Sequence, residues 1–374
     1  MKIVLLQRVL PAYREPLFES LREQALQSGH SFELWISPAS GGFARRGTEG
    51  GLPWARSLAV KTLPAGVEYQ SLPWRDVLAA DVLIVPDSAR GTSNILALLL
   101  RRLRGKPVLT WGHGVNFQPD AISRLLAAPR YHMLRLAHGH LVYTQSCVAS
   151  LEAAGFAHGR IGVTENAIDD SPAAGLDGQH PEVQAFRERN GLGDAPCVVF
   201  LGSWYARKRP ELVIEVGLAL RKRVADARIL VIGGGDGLAV LADRVKELPW
   251  LKLLGPLHGR EKFVALAAAR CLTVSGVAGL NLLDAMAVGL PVVLPRRADH
   301  SPEASYVLDG INGLIVEDDP GLLAAACSRM VDDQPLHTRL CQGARDTSSE
   351  RTIHAMAANI LRHAETAARG SNGH

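Results

Sequence analysis

The segment Cys271 to Pro295, CLTVSGVAGLNLLDAMAVGLPVVLP, constrains the fold more than any other. A short apolar run breaks at Gly276-Val-Ala-Gly279, a helical pattern starts at Asn281 and stops at Gly289, and a second apolar run follows at Pro291-Val-Val-Leu294. Strand, glycine turn, helix, glycine stop and strand, in that order, make one βαβ unit of a parallel sheet. Such a turn lies at the carboxyl ends of the strands and opens a helix whose first N–H groups have no internal partner, so it suits an anion such as a phosphate. An ordinary βαβ connection without a ligand has the same spacing.

A chain of 374 residues exceeds what one hydrophobic core usually serves, which predicts two domains, and its 47% apolar and 21% charged content describes a globular protein. No window reaches 18 consecutive apolar residues, and Met1-Lys-Ile-Val-Leu-Leu runs into Gln7, Arg8 and Pro11 without a cleavage site. Neither a membrane span nor a secretory leader is expected, and a cytoplasmic location follows. The five cysteines are odd in number, widely spaced and set mostly in apolar runs, so they read as free structural thiols rather than a disulfide framework or a metal site.

The net charge of +4 sits in the first half: residues 1–170 carry 18 Lys and Arg against 14 Asp and Glu, and the remainder is balanced at 23 of each. Arg101, Arg102, Arg104 and Lys106 follow the apolar block Ile95 to Leu100, with Arg124, Arg130 and Arg135 beyond and only Asp120 opposing them. A block apolar all round predicts a buried helix with a solvated basic end, and contact with an anionic membrane surface is the second reading. Aromatic content of 5% without basic and aromatic interleaving argues against nucleic acid.

In chain order, strands are expected at 2–6, 31–36, 81–85, 106–111, 139–143 and 161–165, and in the second half at 197–201, 228–232, 251–254 and on either side of the glycine turn. The loop after the first strand offers Arg8, Tyr13 and Arg14, which either hold an anionic or polyhydroxylated ligand or lie on the surface. Residues 38–63 have no sustained period and predict a long loop. Gly112-His113-Gly114 ends a strand and directs the His113 ring outward, where it can hydrogen-bond a substrate. Gly202 to Pro210 follows the first strand of the second half, and its Arg207, Lys208 and Arg209 stand before a helix, where cations oppose the helix dipole unless an anion lies among them. Gly233 to Gly237 invites a dinucleotide reading, but Leu238 stands where the third glycine is needed, so no nicotinamide cofactor is expected.

These residues resemble the retaining glycosyltransferases of the GT-B fold, family 4, across nearly the whole chain and most strongly in residues 197–317. Gly279-Leu280 keeps the family's glycine turn, and Asp284-Ala-Met-Ala-Val-Gly-Leu-Pro-Val-Val293 keeps its helix and strand, with Asp284 at the second glutamate of the family pattern. Gly202 through Lys208 is similar to the family's phosphate clamp, with the lysine kept and Ser203 in place of its arginine. Pro302-Glu303 with Asp309 to Val316, and Thr164 to Asp169, resemble two further blocks, and His113 falls where the family has a cleft histidine. One departure is plain: the family's first glutamate falls at Gly276.

The resemblance implies two Rossmann-like doubly wound α/β domains facing a cleft: an acceptor-binding domain at 1–175, a donor-binding domain at 176–350, and a last helix at 351–374 crossing back to the first. It implies a hexosyltransferase that moves a sugar, with retention and without metal or cofactor, from a nucleoside diphosphate-sugar to a sugar or lipid-linked sugar of cell-surface polysaccharide, lipopolysaccharide or glycolipid synthesis. The diphosphate would lie among Gly202, Ser203, Arg207, Lys208, Gly279, Leu280 and Asn281, and the nucleoside at Gly255, Leu257 and Asp284. His113 and Lys208 would act in catalysis, and Arg8, Tyr13, Arg14, Gly112, Gly276 and Glu303 would line the sugar and acceptor cleft. A non-catalytic scaffold and a nucleotide-sugar epimerase share the fold and remain as alternatives.

Overall fold

The computed structural model describes residues 1–38, 51–63, 67–88, 90–114 and 127–371. Expectations for residues 39–50 of the long loop, and for Asp120 and Arg124 of the basic stretch, fall outside them. The chain divides into two compact units, Met1–Asp169 with Ile353–His374, and Asp170–Thr352.

In the first unit the strands are β1 (Lys2–Leu6), β2 (Ser31–Ile36), β3 (Arg56–Ser57), β4 (Val60–Thr62), β5 (Glu68–Gln70), β6 (Val82–Pro86), β7 (Val108–Gly112), β8 (Gly139–Val142) and β9 (Ile161–Val163). Seven form a wholly parallel sheet in the order β3-β2-β1-β6-β7-β8-β9, and β4 pairs with β5 as a separate antiparallel ribbon. Parallel strands are covered on both faces, which is why Ile3 to Leu6 is apolar without alternation. Ile3 and Leu5 enter a core with Leu17, Phe18 and Leu21, while Val4 and Leu6 enter the other with Val77, Leu98 and Met133. The helix Ile353–Ser371 closes the first of these cores by burying Met356, Ala357, Ile360, Leu361 and Ala364 at helical spacing.

The second unit holds β10 (Cys197–Leu201), β11 (Arg228–Ile232), β12 (Leu251–Gly255), β13 (Cys271–Thr273), β14 (Val292–Pro295) and β15 (Gly313–Val316), all parallel in the order β12-β11-β10-β13-β14-β15. In each sheet the strand order reverses beside one central strand, β1 in the first and β10 in the second. The loops leaving the carboxyl ends of β1 and β6, and of β10 and β13, therefore part to opposite faces and leave a crevice.

Two expectations are corrected here. Residues 51–63 are not all loop: Arg56–Ser57 extends the sheet edge along β2, and Val60–Thr62 forms the ribbon with β5. The helix Thr92–Leu103 is not buried all round: Leu96 and Leu99 are each 41% exposed and Leu103 84%, on one face. Arg101 is the buried residue instead, its guanidinium donating to the carbonyls of Val77, Ala80, Asp81 and Pro107. Burial pushes its pKa down to about 10, and four carbonyl partners keep the cation tolerable inside. Arg101 thus belongs to the core, and within residues 101–106 the exposed cations are Arg102 and Arg104.

Candidate functional site

The second unit builds its site where β10 and β13 end. After β10 the chain turns at Gly202, and Trp204 pins the turn: its indole is buried, Nε1 donates to the Ile232 carbonyl at 3.0 Å, and its N–H donates to Gly234 at 2.8 Å. Gly233 and Gly235 are in left-handed backbone, and a Cβ on either would overlap the carbonyl of Gly202 or Trp204. The glycines that suggested a dinucleotide turn are needed for this interlock of two loops.

A single turn, Ala206–Lys208, then carries Lys208 back over Gly202 and against the loop after β13. Lys208 Nζ donates to the Val277 carbonyl at 2.6 Å, Ser275 Oγ donates to the Lys208 carbonyl at 2.6 Å, and the Val277 N–H donates to Arg207 at 3.2 Å. Among the described residues Lys208 has no carboxylate partner, and burial lowers its pKa from 10.5 to about 8. Holding the ammonium there works against folding by on the order of 3 kcal/mol at neutral pH, which an anion would offset.

Its two neighbours already have carboxylate partners, which corrects the expectation that an anion must relieve all three cations. Arg207 pairs with Asp299 at 3.2 Å and Arg209 with Asp318 at 2.7 Å, while Arg297 bridges the two aspartates. Arg297, then Arg207, hold Asp299 down to about 2. The carboxylates follow β14 and β15, about a hundred residues from the arginines in sequence but at the same sheet edge.

The glycine turn itself is closed. A Cβ on Gly276 would overlap the Arg207 carbonyl oxygen and lie 2.7 Å from the Lys208 Cα, so no side chain fits where the family has its first glutamate. Asn281 caps the turn, accepting from the Gly279 N–H at 2.9 Å and donating to the Leu201 carbonyl at 3.0 Å. That Gly279 N–H is therefore taken within the turn. His300 braces the turn from β14: Nδ1 accepts from the Ala278 N–H at 2.9 Å, so the ring is neutral and its Nε2–H donates to Pro295 at 2.8 Å. Burial lowers the His300 pKa, which keeps the ring neutral. Gly202 and Leu280 are half-buried and Ser203 is exposed.

Asp284 lies on the helix Asn281–Ala287, and Lys262 Nζ donates to it at 2.5 Å. Burial raises its pKa and Lys262 opposes the rise. Asp284 is thus a desolvated carboxylate already holding one donor, with Lys262, which sequence reasoning missed, beside it. Gly255, in left-handed backbone, ends β12, and Leu257 follows it half-buried. Glu303 is buried at 2% exposure in the short turn Pro302–Tyr306 rather than open to a ligand. A groove of about 850 Å³ lies elsewhere, at the amino ends of β10, β13 and β14. Its Arg187 and Arg270 donate to main-chain carbonyls.

In the first unit the loops after β7 and β8 meet. His113 is exposed, and its ring stands 4.8 Å from that of Tyr143, edge to face. Gly112 has no room for a Cβ because the Asp87 carboxylate fills the space, and Gly114 is left-handed with φ +70°. Val115 and Asn116 lie outside the described residues. Arg14 does not reach a ligand: it is 6% exposed, donates to Asn166 Oδ1 at 2.8 Å, and stacks within 5.6 Å of the Tyr13, Trp111 and Tyr143 rings. Arg8 is also taken, by Glu68 at 2.6 Å and the Pro38 carbonyl at 2.9 Å. Of the three first-loop candidates Tyr13 alone is exposed, at 47%.

Two doubly wound parallel sheets, with solved glycosyltransferase structures of similar fold over the whole chain, make the GT-B fold. Residues 195–333, within the second unit, match the family described as "Glycosyl transferases group 1". The chain is 34% identical over 154 residues to the GDP-mannose-dependent alpha-(1-6)-phosphatidylinositol monomannoside mannosyltransferase of Mycolicibacterium smegmatis, covering 37% of this chain and 39% of that protein. It is 30% identical over 216 residues to the D-inositol 3-phosphate glycosyltransferase of Salinispora arenicola, covering 52% and 48%. The chain thus spans less than half the length of these relatives. The structure is similar to that of Anabaena Alr3699/HepE in complex with UDP, with a TM-score of 0.74 at 15% identity, covering 98% of this chain and 100% of that one. It is also similar to WaaG, a glycosyltransferase involved in lipopolysaccharide biosynthesis, with a TM-score of 0.63 at 15% identity and full coverage of both.

Proposed function

We propose that this protein transfers a hexosyl group from a nucleoside diphosphate-sugar to a sugar or lipid-linked sugar acceptor, with retention and without a metal ion. The observation that carries this reading is Lys208: an ammonium held partly desolvated at the switch-point strand, with no carboxylate partner among the described residues. When the donor's glycosidic bond breaks, negative charge grows on the leaving diphosphate. A fixed cation in a dry setting stabilises that charge without reorganising. Asp284 takes the ribose hydroxyls, and His113 of the first unit bonds the donor sugar. Gly276 offers no nucleophile, which agrees with same-face attack in which the leaving phosphate takes the acceptor proton. The relatives' names, one GDP-mannose-dependent and one crystallised with UDP, support a nucleoside diphosphate-sugar donor without choosing its base.

The test is a thermal-shift series with UDP, GDP, ADP and CMP, with and without magnesium. At a hundredfold excess over Kd the preferred nucleotide stabilises by about 2.7 kcal/mol, a rise of roughly 5–10 °C. No shift with any of them would favour a second reading, a non-catalytic scaffold, for which the filled space at Gly276 is the specific observation.

The acceptor reading extends to the membrane. No helix among the described residues is long and apolar enough to cross one. Leu96, Leu99 and Leu103 with Arg102 and Arg104 form an exposed apolar and basic face that suits an anionic lipid surface. Arg102→Glu with Arg104→Glu is expected to cut co-sedimentation with phosphatidylglycerol vesicles about tenfold or more. Unchanged sedimentation would remove this contact. Arg101 is unsuitable for the test because its charge reversal would strand four carbonyls inside the core.

A further inference from the structure

His113 is carried by a three-residue turn, so the direction of its ring depends on what fixes that turn. Asp87, which follows β6 on the neighbouring strand, does so from both sides. Its carboxylate occupies the space a Cβ on Gly112 would need, and its Oδ2 accepts the Gly114 N–H at 2.7 Å. Its own N–H donates to the Trp111 carbonyl at 3.2 Å. One residue thereby touches the main chain immediately before, at and after the strand end that presents His113.

Asp87 is itself held. Arg130, on the helix Ala127–Leu136, donates Nη2 to Asp87 Oδ2 at 2.7 Å and Nε to the Asp87 carbonyl at 2.8 Å. The two side chains are 17% and 15% exposed, so the pair is largely desolvated and its geometry is fixed on both sides of the aspartate. The Leu151 side chain closes the remaining side of Gly114, its Cγ 2.8 Å from where a Cβ would stand. The two glycines around the histidine are explained by this arrangement: Gly112 makes room for the carboxylate, and Gly114 takes the left-handed turn that aims its N–H at it. An uncommitted ion pair would need neither.

We propose that Asp87, oriented by Arg130, is the positioning residue that sets the direction of the His113 imidazole. The catalytic half of this inference rests on the reading of His113 as a group that bonds the donor sugar; the structural half does not. Loss of the clamp lets the turn relax and moves the ring by a fraction of its own width, enough to lower turnover while donor binding in the second unit is untouched.

The experiment uses the full chain labelled with ¹⁵N-glycine and ¹⁵N-histidine. In Asp87→Asn the Gly114 amide resonance, displaced downfield by its carboxylate acceptor, is expected to move upfield, and the His113 ring resonances to shift with it. Arg130→Gln, which leaves the Asp87 to Gly114 bond in place, is expected to shift the His113 ring less, and Arg130→Lys to restore part of that change. These variants also serve if Asp87→Asn melts early. With UDP-glucose or GDP-mannose as donor, Asp87→Asn is expected to lower kcat about ten- to a hundredfold with donor KM changed less than threefold. Unmoved Gly114 and His113 resonances in Asp87→Asn and Arg130→Gln would overturn the proposal, as would shifted resonances with wild-type kcat in a protein that loses turnover on His113→Ala. If His113→Ala itself left turnover intact, the transferase role of His113 would fall, and the resonances alone would decide the clamp.

Discussion

Gly276→Ala is expected to lower the melting temperature by roughly 6–12 °C. The added methyl would meet the Arg207 carbonyl oxygen and the Lys208 main chain, neither of which is the end of a flexible side chain. Relief would require separating two turns joined by three hydrogen bonds, from Ser275 Oγ, the Val277 N–H and Lys208 Nζ. Overpacking of this kind costs about 3 kcal/mol, and each kcal/mol moves the midpoint of a unit this size by about 2–4 °C. Gly276→Glu would meet the same obstacle before its carboxylate mattered, so a single substitution cannot restore the family's glutamate. A circular dichroism melt of Gly276→Ala that coincides with wild type would show that the turns are not packed together in solution.

Lys208→Ala is expected to weaken binding of the preferred nucleoside diphosphate about ten- to a hundredfold, the value of a charge-assisted bond to phosphate in a partly dry site. The wild type should also carry a pH signature. With its pKa lowered to about 8 by burial, Lys208 is charged below that pH and loses its proton above it. Affinity should be level from pH 6.5 to about 7.5 and then fall, approaching tenfold per unit, until the bound-state pKa is reached. For stability the sign is opposite: the unfolded lysine binds more protons between about 8 and 10.5, so ligand-free protein gains stability as pH rises through that window. Calorimetry across this range checks both statements, and a flat affinity profile in wild type with near-native affinity in Lys208→Ala would place the diphosphate elsewhere.

What could be read in the sequence follows from which forces act locally. The central strands were legible because burial on both faces demands unbroken apolar runs such as Ile3 to Leu6 and Val198 to Leu201. The edge and ribbon strands Arg56–Ser57 and Glu68–Gln70 were not, because one side meets solvent and their residues are polar. The places of Lys208 and His113 just after strand ends were legible because strand ends and glycines mark where a parallel sheet presents side chains. The partners of Arg207 and Arg209 were not, since Asp299 and Asp318 reach them only through the order of strands. Arg101 misled for a related reason: its position in a basic run says nothing of the four carbonyls that converge on it. Lys262, one turn into the helix Gly259–Ala267, carried no signal beyond an ordinary surface lysine.

The helix Ile353–Ser371 has a consequence for the order in which the molecule can be made. The second unit is one uninterrupted stretch, Asp170–Thr352, and its whole core is available to a growing chain once Thr352 has emerged. The first unit is synthesised earlier but lacks Met356, Ile360 and Leu361, whose burial against Leu17, Phe18 and Leu21 is worth about 5–9 kcal/mol. A nascent first unit is therefore a sheet with one apolar face only partly covered, by the helix Glu15–Gln27, for the time taken to translate the second. The element begun first is sealed last, and the ribosome-bound intermediate is the form of this protein most exposed to chaperones and to aggregation.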